Sequence, residues 1–198
     1  AGDRFFGVQG GDPGGELSPR LMLLGDYGYK PMVLYRGDDS LGPIVKNQLI
    51  LHIAAGISLW DRLWLFANMP LALINNGSNV SGALPAPSGV AAGDLRGGAR
   101  VRLLGENRSL ATLSLSGYVY IPTGKKEQYM STDEIHGMPA LVLSGENQSI
   151  AYAVNAGMDL RKGSSNAGSP LPDFGSSLVG GAAFAFLLAD GALQIGPE

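Results

Sequence analysis

The segment Ser149–Arg161 reads SIAYAVNAGMDLR and decides the fold class. From 150 to 160 the even positions are Ile, Tyr, Val, Ala, Met and Leu, whereas the odd positions between them are Ala, Ala, Asn, Gly and Asp. A period of two places one set on each side of a β-strand. The segment therefore predicts a strand with one apolar face and one small or polar face.

The same alternation recurs along the chain, in segments that are separated by two kinds of connection. Odd positions from Val45 to Leu59 are apolar except Asn47, and shorter alternating runs cover 99–103 and 111–121. Four short reversals lie at about 40 to 45 residue intervals, and long Gly-, Ser-, Asn- and Pro-rich segments fall between them. The reversals begin at Trp60, Gly105, Gly145 and Ala189, and the long segments are Asn75–Asp94, Pro122–Glu134 and Lys162–Gly175. Short turns on one rim and long loops on the other are typical of bacterial outer-membrane barrels.

Two of the reversals share a near-repeat, GENRSLA at 105–111 and GENQSIA at 145–151. Gly-Glu-Asn tolerates a tight reversal between two strand-like segments. The near-repeat predicts one hairpin unit that is used twice.

The composition supports a membrane protein that crosses with strands. Charged residues make up 16% of the 198 residues, glycine contributes 30, and no run approaches the roughly 18 consecutive apolar residues of a spanning helix. We expect an all-β, antiparallel, up-and-down transmembrane barrel. Strand one is predicted at Ser18–Arg36 and strand two at Ile44–Leu59. About nine strands are expected here out of about ten to twelve in total, because bacterial barrels of one chain have an even number of strands.

The domain prediction follows from this count. Residues 1–17 are expected to form an N-terminal periplasmic arm, whose Phe5 and Phe6 tuck under the mouth of the barrel, and residues 18–198 an outer-membrane barrel that is incomplete at its C-terminus. The small residues opposite the apolar face, such as Ala151 and Ala153, suit the crowded interior of a narrow barrel and favour an apolar face that points toward lipid. A soluble barrel with its apolar face inside remains the alternative.

Two sets of residues are candidate functional positions. The polar residues expected to line the lumen either select an anionic solute or fill the interior with ion pairs, and the second interpretation is favoured because small barrels are normally filled by side chains. They are Arg20, Asp26, Lys30, Lys46, His52, Arg96, Arg100, Arg102, Asp159 and Arg161. The aromatic residues expected at the membrane interface are Tyr27, Tyr29, Tyr35, Trp60 and Trp64. Of the lumen residues, Arg100 and Arg102 are the best candidates for a functional lining.

The sequence gives little support for metal binding, catalysis or nucleic-acid binding. There is no cysteine, the two histidines, His52 and His136, are far apart, and the sequence contains no nucleophile elbow, phosphate loop or dinucleotide fingerprint. We therefore expect no metal, no cofactor and no enzymatic activity, although His136 beside Asp133 and Glu134 is a weak start for a membrane hydrolase. A net charge of -3 gives no electrostatic footprint for nucleic acid.

Four segments carry a resemblance to a known family. They are Asp26–Leu34 (DYGYKPMVL), Ile44–His52 (IVKNQLILH), Asn68–Leu73 (NMPLAL) and Gly93–Arg96 (GDLR). Together they resemble the N-terminal barrel of OmpA-family outer-membrane proteins of the myxobacterial type. The resemblance implies further strands, often a periplasmic peptidoglycan-binding domain, and an envelope-tethering role. It assigns no binding residue.

Three functional hypotheses follow. The first is a structural or anchoring barrel in the bacterial outer membrane, with lipid and other envelope proteins as partners and peptidoglycan bound through a domain absent from this sequence. The second is a porin-like passive channel for small solutes, motivated by the inner arginines. The third is a soluble ligand-binding barrel, which the direction of the apolar faces tests.

Overall fold

Strands account for most of the structure because the apolar alternation of the sequence has a period of two. The computed structural model describes residues 5, 7–80, 84–106, 108–161 and 175–198. Its strands are β1 Leu17–Arg36, β2 Asp39–Leu59, β3 Leu63–Gly77, β4 Ala91–Ala92, β5 Leu95–Leu104, β6 Thr112–Ile121, β7 His136–Glu146, β8 Ile150–Asp159, β9 Ser177–Leu188 and β10 Leu193–Ile195. A single 3₁₀ turn, Lys126–Gln128, is the helical element of these residues.

The strands form one antiparallel sheet in which sequence neighbours pair. The order is β1-β2-β3-β5-β6-β7-β8-β9-β10, with β4 attached to β3. The sheet curls into a half-barrel whose two edges, β1 and β10, do not pair with each other in the described residues. The predicted all-β, up-and-down architecture is confirmed, while the total strand number stays a prediction.

Two tight turns on one rim have the same conformation. Trp60 and Asp61 have φ angles of 52° and 54°, and Ala189 and Asp190 have φ angles of 49° and 54°. In both turns the N–H of the fourth residue donates to the carbonyl of the first over 3.1 Å. Two central residues at positive φ match the right-handed twist of antiparallel strands, which is why such turns favour two-residue hairpins.

The first hairpin is longer than the sequence predicted. β2 begins at Asp39 rather than Ile44, and Asp39–Pro43 pairs with the end of β1. Gly37, at a φ of 62°, closes this hairpin because it adopts the left-handed conformation without a Cβ clash. The β1–β2 connection therefore extends this rim as two paired strands joined by a tight turn, and not as a long loop.

The two copies of the near-repeat form different turns. In the second copy, Asn147 accepts hydrogen bonds from the N–H groups of Ser149 and Ile150, both at 2.8 Å, and β8 starts at once. In the first copy β6 starts only at Thr112, and Asn107 lies outside the described residues. The intervening segment packs on the second hairpin, since the Ser109 carbonyl accepts from the Glu146 N–H at 3.0 Å. The prediction that one hairpin unit is used twice is therefore wrong, because the two turns differ in length.

The long connections lie on the opposite rim and two of them bind each other. The Asp94 carboxylate accepts hydrogen bonds from the N–H groups of Gly124 and Thr132, each at 3.0 Å. The Tyr129 hydroxyl donates to the Pro85 carbonyl at 2.9 Å, and partial burial raises the pKa of this hydroxyl. The third predicted loop, Lys162–Gly175, lies outside the described residues except for Gly175.

The packed core is on the concave face of the sheet. Small side chains of β8 and β9 lie there under residues of the N-terminal segment, and the cluster consists of Phe5, Val8, Ala151, Ala153, Ala183, Ala185 and Leu187. A Cβ added at Gly181 would stand 3.3 Å from the Val8 side chain. The small residues of these strands thus make room for a segment of chain inside the curl. Phe6, predicted to tuck in beside Phe5, lies outside the described residues.

Candidate functional site

The concave face is built from side chains on alternate positions of facing strands. On β5 these positions carry Arg96, Arg100 and Arg102, which pair respectively with Tyr120, Ser116 and Ser114 of β6. A period of two aligns the three guanidinium groups in one row along the inner face. The row runs from the long-loop end of the sheet to the tight-turn end.

Residues 7–16, which we call the arm, cross this face at its tight-turn half. The arm reaches β6 and β7 at Gly11, whose carbonyl accepts from the Ser114 hydroxyl and whose N–H donates to Ser144 Oγ at 2.7 Å. It then reaches β2, where the Ser58 hydroxyl donates to the Gly15 carbonyl. The small polar residues of the inner face therefore pair with backbone groups of the arm, which would otherwise lie unsatisfied inside the curl.

Gln9 of the arm bonds residues of three strands. Its side-chain oxygen accepts from the Ser116 hydroxyl at 2.8 Å and from Arg100 Nη2 at 3.2 Å. The Asn155 carboxamide, oriented to satisfy both groups, accepts from the Gln9 N–H at 2.7 Å and donates to the Gln9 carbonyl at 3.1 Å. Gln9 thereby ties β5, β6 and β8 to the arm.

Asp12 is the acidic residue of the arm that reaches the arginine row, whereas the other, Glu16, is exposed. Its carboxylate lies 3.6 Å from Arg102 Nη1 and accepts the N–H of Gly14 at 2.9 Å. Two residues further on, the Gly14 carbonyl accepts from Arg20 Nη2 at 2.7 Å, and the Arg20 guanidinium also stands over the Trp64 ring at 5.2 Å. Three of the predicted lumen arginines are thus engaged by the arm.

A cavity of about 310 Å³ lies between the arm and the tight-turn rim. Its polar lining includes Asp12, Arg20, Arg108 and Glu146. Because it lies between groups that already pair with one another, it is a gap in the packing of the arm.

A second polar cluster lies at the long-loop end of the inner face. His136 Nδ1 lies 2.7 Å from Asp159 Oδ1, and Arg161 Nε donates to Asp159 Oδ2 at 2.8 Å. The His136 ring stacks on Tyr120, with centroids 4.2 Å apart and planes 7° apart. His136 does meet a carboxylate, but its partner is Asp159 on β8, and neither Asp133 nor Glu134 is within hydrogen-bonding distance.

The remaining residues predicted to line the lumen differ in position and exposure. His52 Nδ1 lies 3.4 Å from Asn68 Oδ1 on that face. Asp26 and Lys46 are exposed. The place of Lys30 in the lumen stays a prediction: a register irregularity between Tyr29 and Met32 interrupts the alternation there, and the Lys30 ammonium group stands 5.1 Å from the ring centroid of Tyr29.

The five aromatic residues predicted at the membrane interface differ in exposure. Tyr27, Tyr29, Tyr35 and Trp60 have exposed side chains, so their place at a membrane interface stays a prediction. Trp64 is only 2% exposed and lies on the inner face, opposite Arg100 in the pairing of β3 with β5. The interfacial prediction for Trp64 is therefore wrong: Trp60 lies in the tight turn, whereas Trp64 lies on β3 and pairs with the buried Ser58 of β2.

Sequence reasoning missed Gln9 and Asp12 and treated the arm as a tail outside the barrel. The signal that identifies the arm is its composition: Gly10-Gly11-Asp12-Pro13-Gly14-Gly15 has little side-chain bulk and fits a narrow interior. In the described part of the chain no group of three or more His, Cys, Asp or Glu side chains could hold a metal ion. No helix of the described residues is long and apolar enough to cross a membrane.

Comparisons with known proteins give no relative. No family model, no curated protein and no solved structure matches this chain.

Proposed function

We propose that this chain forms the wall of an integral outer-membrane β-barrel and serves as a structural or anchoring component of the bacterial envelope. The observation that carries the proposal is the direction of the two faces. Large apolar residues such as Leu21 and Leu178, 72% and 82% exposed, lie on the convex face, whereas Ser58, Ser114 and Ser116 are buried on the concave face. A leucine side chain exposed to water is less favourable by about 1.5–3 kcal/mol than one that is fully buried. A hydrocarbon environment removes that cost along the whole face.

The spacing of exposed aromatic residues supports the same proposal. Tyr27 pairs with Leu49, and Trp60 directly follows Leu59, ten positions further along β2. Ten residues span about 33 Å along a strand. A tilt of about 40° reduces this to about 25 Å along the membrane normal, which is the height of the apolar band of outer-membrane barrels.

Membrane insertion also requires the half-barrel to close. Unpaired backbone groups of an edge strand cost several kcal/mol each in hydrocarbon, so β1 and β10 need partner strands there. We propose that additional strands close the barrel and that peptidoglycan is bound, as the family resemblance implies, through a separate domain. The arm favours an anchor over a pore because it occupies the tight-turn half of the concave face.

Heat-modifiable gel migration and detergent-dependent solubility test this function. We expect the folded chain to need detergent and to migrate differently before and after boiling. A chain that is monomeric and stable in water without detergent contradicts the proposal. It would support the soluble barrel, although that class needs its apolar residues on the inside and the convex face carries them here.

A porin-like channel is the second candidate, and the row of arginines on β5 favours it. Planar-bilayer conductance separates it from an anchor. If the chain is a channel, deletion of residues 1–15 should raise the conductance, because the arm covers Arg100 and Arg102. Arg100→Ala and Arg102→Ala should then lower the anion preference in the shortened chain. No conductance in either form supports the anchor.

A further inference from the structure

Arg96 differs from the other two arginines of the row on β5. Arg100 bonds Gln9 and Arg102 lies beside Asp12, so both meet the arm. No hydrogen bond or ion pair joins Arg96 to any described residue of the arm. A buried guanidinium nitrogen without a hydrogen-bond partner is common to all three, at Arg96 Nε, Arg100 Nε and Arg102 Nη1, so the difference lies in the arm contacts alone. The row therefore ends, toward the long loops, in a guanidinium group that the arm does not satisfy.

Aromatic rings hold the Arg96 guanidinium in place. Its central carbon lies 5.2 Å from the ring centroid of Tyr118 and 5.9 Å from that of Tyr120. Each ring is fixed in turn: Tyr118 packs edge-on against Phe66 with centroids 5.1 Å apart, and Tyr120 stacks on His136. Ring faces attract a cation, but they carry no formal charge that neutralises it.

The carboxylates at this end of the sheet are already engaged. Asp159 binds His136 and Arg161, and Asp94 accepts the N–H groups of Gly124 and Thr132. No carboxylate of the described residues lies within ion-pair distance of Arg96. A preorganised cation without a counter-charge, on the surface that faces the interior of the curl, attracts an anion.

We propose that Arg96, backed by Tyr118 and Tyr120, is an oxyanion-binding site on the inner face. A guanidinium presents its N–H donors in one plane, which matches the paired oxygens of a carboxylate or a phosphate. The site goes beyond the proposed function, because a structural wall needs no ligand. It also moves the anion-binding position from Arg100 and Arg102, the residues favoured by the sequence, to the arginine nearest the long loops.

Side-chain NMR tests this site with inorganic phosphate as the probe. The full chain, labelled with ¹⁵N-arginine and folded in detergent micelles, is titrated with phosphate while sodium chloride keeps the ionic strength constant. We expect one arginine Nε–H resonance to shift saturably, and we expect this resonance to be missing from Arg96→Gln. The absence of a saturable shift, or an equal shift with chloride alone, overturns the inference.

Two further variants complete the design. Arg36→Gln removes the same charge at the exposed end of β1 and should leave the titration unchanged. Arg96→Lys keeps the charge but loses the planar donors, and no remaining arginine resonance should shift saturably with phosphate in this variant, which serves even if Arg96→Gln fails to fold. A saturable shift that persists unchanged in Arg96→Lys overturns the site. The titration does not depend on membrane insertion, so its failure is distinguishable from failure of the barrel proposal.

Discussion

The backbone N–H of Gly11 donates to the hydroxyl of Ser144 across 2.7 Å, although the two residues lie 133 positions apart. The contact fixes the arm to β7 in the middle of its path across the inner face. On β6, the Ser114 hydroxyl donates to the carbonyl of the same glycine. Both backbone groups of Gly11 are therefore satisfied by serines of the barrel wall, and this position controls how tightly the arm is held.

Gly11→Ala should loosen the arm. The added Cβ would stand 2.9 Å from Ser144 Oγ and 3.2 Å from the Thr112 carbonyl, closer than ordinary contact. Overpacking of this kind costs about 1 kcal/mol or more. We expect hydrogen exchange at the N–H groups of the arm to accelerate about fivefold, since exchange reports local opening. Gly7→Ala is the matched control, because its Cβ meets only Glu198 Oε2 at 3.4 Å. Equal exchange in the two variants would contradict the prediction.

The Asp12–Arg102 pair should contribute more than a shorter pair on the surface. Arg102 and Asp12 lie 3.6 Å apart with most of both side chains covered, whereas Lys126 and Asp133 lie 2.9 Å apart with both side chains exposed. Solvent screens the exposed pair, so a double-mutant cycle should give about 0.5 kcal/mol or less for it and about 1 kcal/mol for the covered pair. The variants are Asp12→Asn with Arg102→Gln and Lys126→Gln with Asp133→Asn. A larger coupling energy for the surface pair would show that distance outweighs burial here.

The two tryptophans should differ in their access to lipid. Trp60 is 71% exposed at the tight-turn rim and Trp64 is 2% exposed on the inner face. Trp64→Phe retains only Trp60, and a brominated lipid should strongly quench its fluorescence in lipid vesicles. It should quench Trp60→Phe weakly, because the remaining tryptophan faces the interior. Equal quenching of the two variants would contradict the assignment of Trp64 to the inner face.

A charge on the convex face should cost free energy that depends on depth. Leu141, 51% exposed in the middle of β7, is expected near the bilayer midplane, and Leu104, 65% exposed, ends β5 at the tight-turn rim. Leu141→Arg should lower the free energy of unfolding in lipid by about 2–4 kcal/mol, and Leu104→Arg by about 1 kcal/mol or less. Denaturant unfolding in vesicles measures both values. If both changes are nearly neutral, the convex face is in water and the membrane proposal fails.

The local pattern of the sequence was sufficient for the strands. Ile150–Leu160 alternates strictly, and β8 occupies Ile150–Asp159 with Val154 outside and Ala153 inside. Register irregularities are less visible, because a bulge leaves no periodic signal. The break after Tyr29 is an example, because the alternation that predicted Lys30 on the inner face is interrupted there. The near-repeat failed in a related way, since the hydrogen bond between Ser109 and Glu146 of the second hairpin joins residues that are far apart in the sequence.

The sequence by itself determined the fold class, the long connections that follow β3 and β6, and the row of arginines on one face. These follow from side-chain periodicity and turn composition, which are local properties. Only the tertiary structure decided that the arm runs inside the curl, that Arg100 and Arg102 meet it, and that Arg96 does not. The physical reason is that Gln9 and Asp12 reach strands about 90 to 145 residues away, and no local pattern encodes such a contact.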